Sequence, residues 1–157
     1  MAKIPTDVER SITVHVPVAR AYGYLWDVVG SSACIPRLAS CTGVAPDTYR
    51  FVYEERVTGP FRMVAQYTAR YEGNGTDRIA FEGTGAPGDN ADVRGTITLR
   101  PRGADATHVE LRQHLAPDTP IPGMLQGLVR SFVEREASEG VAAYLANVKR
   151  ELERCDT

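Results

Sequence analysis

Residues 119–154 read TPIPGMLQGLVRSFVEREASEGVAAYLANVKRELER, and this stretch decides the architecture. Apolar or small residues stand at Ile121, Leu125, Leu128, Val129, Phe132, Val133, Ala137, Gly140, Val141, Tyr144, Leu145, Val148 and Leu152. Their steps of three and four are the repeat of one helix face. Arg130, Glu134, Arg135, Glu139, Lys149, Arg150, Glu153 and Arg154 fall off that stripe, on the side for water. About 30 helical residues span roughly 45 Å, and a stripe of that length must lie against something long and apolar. What precedes it reads mostly as strand, so the partner is expected to be a sheet. Asp118 or Thr119 is the expected N-cap, with Pro120 in the first turn.

Working back to the start, residues 7–16 alternate Val8, Arg10, Ile12, Val14, Val16 against Glu9, Ser11, Thr13, His15, the period of a half-buried strand. Residues 20–29 follow as a helix carrying Ala21, Tyr22, Leu25, Trp26 and Val29 on one side. A second short helix or turn, 31–35, is stopped by Pro36. Strands are then expected at 40–45, 49–58, 61–71, 78–83, 92–100 and 107–115, separated by Pro, Gly, Asn and Asp turns. The predicted fold class is α+β: one domain over 1–157, with a curved antiparallel sheet of about seven strands on a long C-terminal helix. Two short helices follow the first strand.

The 157 residues carry a net charge of −2 without basic clusters, which argues against nucleic acid as partner. No apolar run has membrane-span length, and the N-terminus lacks a signal-peptide core. Cys34, Cys41 and Cys155 are an odd count without metal-type spacing, which fits a reducing cytoplasm. Cys155 is third from the end, the wrong place for a prenylation box. His15, His108 and His114 share strand parity with polar residues and are expected at the surface, without a metal pair. Gly83-x-Gly85 leads into another strand, so a hairpin or bulge explains it better than a phosphate loop. Cys34 has only Arg37 near it in sequence and reads as a packing cysteine. No cofactor, metal ligand or catalytic residue is assigned.

Three motifs carry a family likeness. They are Val16-Pro17 leading into Ala21-Tyr22-Gly23-Tyr24-Leu25-Trp26-Asp27; Ala33-Cys34-Ile35-Pro36; and Gly59-Pro60-Phe61 with Phe81-Glu82-Gly83-Thr84-Gly85. With the element order they resemble the START/Bet v 1-like (SRPBCC) helix-grip superfamily. Within it the likeness is closest to the group of polyketide cyclase/dehydrase proteins and CoxG, a carbon monoxide dehydrogenase protein. Arg37 stands where that pattern usually has Gly. The resemblance implies a cavity between sheet and C-terminal helix and an apolar or amphipathic ligand.

Strand parity supplies the polar lining. Tyr49, Phe51, Tyr53 and Val57 read as the core side of 49–58, which puts Glu55 inward as a polar anchor or acid/base, unless a bulge turns it to the rim. Met63 and Tyr67 share a face, as do Gln113, Leu111 and Leu115. With Phe81, and with Ile121, Met124, Leu125, Leu128, Val129 and Phe132 from the helix, these make the expected ligand-binding set. Gly123, Gly127 and the prolines around them predict a mobile gate at that end. The favoured reading is a non-enzymatic binder or carrier of a lipid, isoprenoid quinone or polycyclic aromatic. A polyketide cyclase/aromatase-type enzyme is the alternative. A third is an accessory protein that docks on a partner enzyme such as a molybdenum hydroxylase, with a homodimer also open.

Overall fold

Antiparallel pairing of successive segments organises most of the chain in the computed structural model, which describes residues 2–58, 61–119 and 123–154. In order the strands and helices are β1 (Ala2–Lys3), β2 (Thr6–Val14), α1 (Val18–Trp26), α2 (Val28–Ser31), β3 (Leu38–Ala45) and β4 (Thr48–Tyr53). Then come β5 (Arg56–Thr58), β6 (Phe61–Met63), β7 (Gln66–Gly73), β8 (Arg78–Gly83), β9 (Ala91–Pro101), β10 (Thr107–Thr119) and α3 (Gln126–Arg154). Short 3-10 turns at Ser32–Cys34 and Gly123–Leu125 precede β3 and α3. β1 and β2 lie end to end on one edge of β10, broken around Pro5, which has no N–H for a ladder. The main sheet is therefore seven positions wide: β1/β2, β10, β9, β8, β7, β4, β3. This is the helix-grip α+β fold.

The second half of α3 does the gripping. Val141, Leu145, Val148 and Leu152 are all buried, together with Val14, Ile79, Leu99 and Val109 of the sheet and Ala21 and Leu25 of α1. Each such large aliphatic side chain contributes about 1.5–3 kcal/mol of burial free energy. Thr107, fully buried, satisfies its hydroxyl by donating to the Val16 carbonyl at 2.8 Å. At the far end of the sheet, Asn90 stands in for a missing strand neighbour. Its side-chain oxygen accepts from Gln66 N–H at 2.8 Å, and its amide donates to the Val64 carbonyl at 2.7 Å.

Three expectations need correction. Residues 107–119 form one long strand, with Asp118 donating its N–H to the Asn90 carbonyl, so neither Asp118 nor Thr119 caps the helix. α3 begins at Gln126 instead; Pro120, Ile121 and Pro122 lie outside the described residues. Residues 49–58 and 61–71 are not two continuous strands. Glu54 gives its N–H to the Arg37 carbonyl at 2.9 Å, the chain leaves the sheet there, and β5–β6 becomes a separate hairpin. Side-chain alternation restarts at that break, so Val57 is exposed rather than core. Arg37 itself sits at φ 62°, the left-handed region that favours glycine, which fits its place at a usual Gly of the resembling family.

Candidate functional site

Between the concave face of the sheet and α3 lies a partly enclosed cavity of about 470 Å³. β4 and β7 pair Phe51 with Tyr67, so the aromatic side chains of both strands project onto one wall. β8 adds Phe81 and β10 adds Leu111, Gln113 and Leu115. The roof is Val129, Phe132, Val133, Ala137, Gly140 and Tyr144 of α3, and α1 and α2 close one side with Leu25 and Val28. A larger depression, about 770 Å³, is an open saddle on the outer face of the sheet. Its walls are charged, and the Asp7–His114 (2.8 Å) and Glu9–Arg112 (3.3 Å) pairs compensate one another there. The inner cavity has the apolar, concave character of a small-molecule site.

Gly95 shapes the inner wall. It lies between Phe81 and Gln113 in the cross-strand register, and the Phe81 ring leans over the space a side chain would fill. Tyr71 stacks against Phe81, with ring centroids 5.4 Å apart, and Phe51 stacks against Tyr67 at 5.0 Å. The hydroxyls of Tyr53 and Tyr67 meet at 3.2 Å. Burial pushes the phenols of Tyr53, Tyr67, Tyr71 and Tyr144 above their ordinary pKa, because an ionised phenolate would lose its water. At neutral pH the wall therefore offers neutral O–H donors and no anion.

The rim is ionic. Arg56 of β5 pairs with Glu136 of α3 through both guanidinium nitrogens, tying the hairpin to the helix beside the cavity. Glu55 lines the rim and pairs with Arg62 across the hairpin at 2.9 Å, with about half its side chain exposed. It is not the inward-facing carboxylate that regular pairing predicts, because the strand breaks one residue earlier. Of the expected set, Tyr53, Met63, Tyr67, Phe81, Gln113, Val129 and Phe132 stand on the cavity wall. Met124 and Leu128 do not: they are 89% and 79% exposed, and Leu125 is 37% exposed. One residue step turns a helix by about 100°, so with Val129 facing the cavity its neighbour Leu128 faces out. Ile121 is outside the described residues. Sequence reading missed Tyr144 as a wall residue, treating it only as helix packing, and missed the Arg56–Glu136 pair, since no local pattern joins residues so far apart.

His15 and Glu153 meet at 3.3 Å on the surface, and no histidine lines the cavity among the described residues. Cys34 is buried, with its sulfur 3.1 Å from the Tyr24 hydroxyl, and burial raises its thiol pKa, the opposite of what a nucleophile needs. Among the described residues no cluster of His, Cys, Asp and Glu could hold a metal ion. Among them, too, no helix is long and apolar enough to cross a membrane.

Solved structures share this fold at low sequence identity. A protein of Thermus thermophilus is 19% identical, with a TM-score of 0.71 over 96% of this chain and 99% of that one. A START superfamily protein of Mycobacterium smegmatis is 15% identical, TM-score 0.72, covering 94% and 97%. The Zhui aromatase/cyclase of a Streptomyces species is 18% identical, TM-score 0.70, covering 96% and 94%. No functionally curated protein matches the sequence. The family model described as polyketide cyclase/dehydrase and lipid transport matches residues 5–153, and with the cavity and grip helix in their places the chain belongs to that family, within the START/Bet v 1-like superfamily.

Proposed function

We propose that the protein binds and carries an apolar or amphipathic small molecule in the cavity between its sheet and α3. The observation that carries this reading is the cavity itself: about 470 Å³, walled by aromatic and aliphatic side chains, with phenols and one amide as its polar points. Pockets of some 300–1,000 Å³ suit a drug-sized ligand, and the driving term is burial of apolar area at about 25 cal/mol per Å², less ordering costs. Aromatase/cyclase chemistry is the second reading, favoured by the phenols. It lacks a histidine or an unpaired inward carboxylate to move protons among the described residues, so binding is better supported. Docking on a partner enzyme has one observation in its favour, the exposed Met124, Leu128, Val57 and Val64 near the rim.

Gly140 provides the test. It lines the cavity, and a Cβ built there meets nothing within 4 Å, so a large side chain enters empty space rather than clashing. Titration with N-phenyl-1-naphthylamine is expected to show enhanced fluorescence for the native chain and at least about tenfold weaker binding for Gly140→Phe, with the fold retained by circular dichroism. Native mass spectrometry of protein from its own host is expected to show a co-purifying apolar molecule. Equal dye binding by both forms would remove the cavity as the site.

A further inference from the structure

We propose that the Tyr53–Tyr67 pair makes this cavity selective for a ring skeleton bearing a neutral carbonyl oxygen, with Tyr53 as the donor to it; this rests on the cavity being a small-molecule site. The case starts from a proton count. Two phenols carry two hydroxyl protons, and the 3.2 Å contact between their oxygens uses one. Among the described residues neither hydroxyl has another hydrogen-bond partner. One O–H is left over. Tyr67 is the more buried, at 7% exposure, and its ring is packed flat on Phe51. Tyr53 is the more open of the two and also lines the cavity. Tyr67 therefore donates to Tyr53, and Tyr53 turns its own proton into the cavity.

An outward-turned donor on an apolar wall discriminates by what it would otherwise lose. A pure hydrocarbon displaces its water and returns no acceptor, leaving the hydroxyl unpaired. A carboxylate gives an acceptor but must shed its hydration beside Phe51, Met63 and Ala65. The cation nearest in the chain, Arg56, is already taken by Glu136. A neutral carbonyl meets the donor without that cost. Flat faces favour a ring over a saturated chain: Tyr53 and Tyr67 lie 6.0 Å apart at 39°, beside the Phe51–Tyr67 stack.

Three probes of one skeleton test this on the full chain: fluorene, 9-fluorenone and fluorene-9-carboxylate. The ratio of fluorenone to fluorene affinity is expected to fall about tenfold in Tyr53→Phe, and about threefold in Tyr67→Phe, where Tyr53 keeps its proton but loses the bond that polarises it. Fluorene affinity itself should not change, since the rings remain. In the infrared, the bound fluorenone carbonyl stretch should lie lower in the native protein than in Tyr53→Phe, a shift that altered packing alone would not produce. The carboxylate is expected to bind most weakly. A ratio unchanged within about twofold, or tightest binding by the carboxylate, overturns the carbonyl assignment while leaving the cavity as a binding site. If neither fluorene nor fluorenone binds, the assignment and the reading beneath it both fall. Should Tyr53→Phe misfold, the carbonyl band compared in native protein and in an apolar solvent decides: no lowering in the protein refutes the bond.

Discussion

A methyl group on Gly95 would come within 2.3 Å of the Arg112 carbonyl oxygen and 2.5 Å of Phe81 Cζ. The first of these is backbone and cannot swing aside. Gly95→Ala is therefore expected to cost about 1–3 kcal/mol, read as a lower urea midpoint at unchanged slope, and to push the Phe81 ring further into the cavity. An unchanged midpoint would mean the strands separate there more easily than their register suggests. Nothing in the run from Asp92 to Arg100 marks this glycine, because the close approach is made by a ring and a carbonyl on the two neighbouring strands. Parity did better wherever pairing stayed regular: Tyr67, Phe81 and Gln113 stand on the concave face it assigned them. Glu55 shows the limit of the same rule. It lies one residue beyond the point where Glu54 gives its N–H to Arg37, and alternation carries no information across such a break.

At the scale of elements, α3 has two unlike halves. Val141, Leu145, Val148 and Leu152 are buried, whereas Leu128 and Phe132 are open to solvent or cavity. The helical repeat made the existence of α3 legible but not its start, since Gly123, Gly127 and the nearby prolines fit a loop, a 3-10 turn or a first helical turn equally well. What holds the open half to the sheet side is the bond between Arg56 on β5 and Glu136 on α3. Both side chains are partly exposed, so the pair contributes no more than about 1 kcal/mol to global stability. Its leverage is local: it ties a three-residue strand to the helix across the mouth. Arg56→Ala and Glu136→Gln are each expected to speed dissociation of N-phenyl-1-naphthylamine several-fold, with little change in melting temperature. The exchanged pair Arg56→Glu with Glu136→Arg should restore slow release, and raising salt should speed release from the two forms that hold an ion pair but not from the single variants. If the rates are the same in all forms, the hairpin does not control the mouth.

Taken whole, the molecule spends its interior on phenols, and that choice weakens it at high pH. The sequence pattern made the layer order legible, because periods of two and of three to four survive any detail of packing. It could not show that Tyr53, Tyr67, Tyr71 and Tyr144, from three elements, surround one space. Burial raises the pKa of all four above the ordinary value of 10.0. Well below about pH 10 these groups are protonated in both folded and unfolded chains and contribute nothing to the pH dependence. Above it the unfolded chain releases protons that the folded one still holds. The unfolded state then binds fewer protons, so stability falls as pH rises, by up to about 1.4 kcal/mol per phenol at one unit above 10. The expected melting temperature, as far as these four groups set it, is level through neutral pH and falls beyond about pH 10. The absorbance of these four tyrosinates should appear together with unfolding rather than ahead of it. Lysines and thiols titrate in the same range, so the decisive comparison is internal. Tyr53→Phe and Tyr71→Phe should each flatten the alkaline limb, whereas removing an exposed lysine should not. A limb as steep in both variants as in the native protein would mean that the phenols ionise inside the folded cavity, and that water reaches them freely.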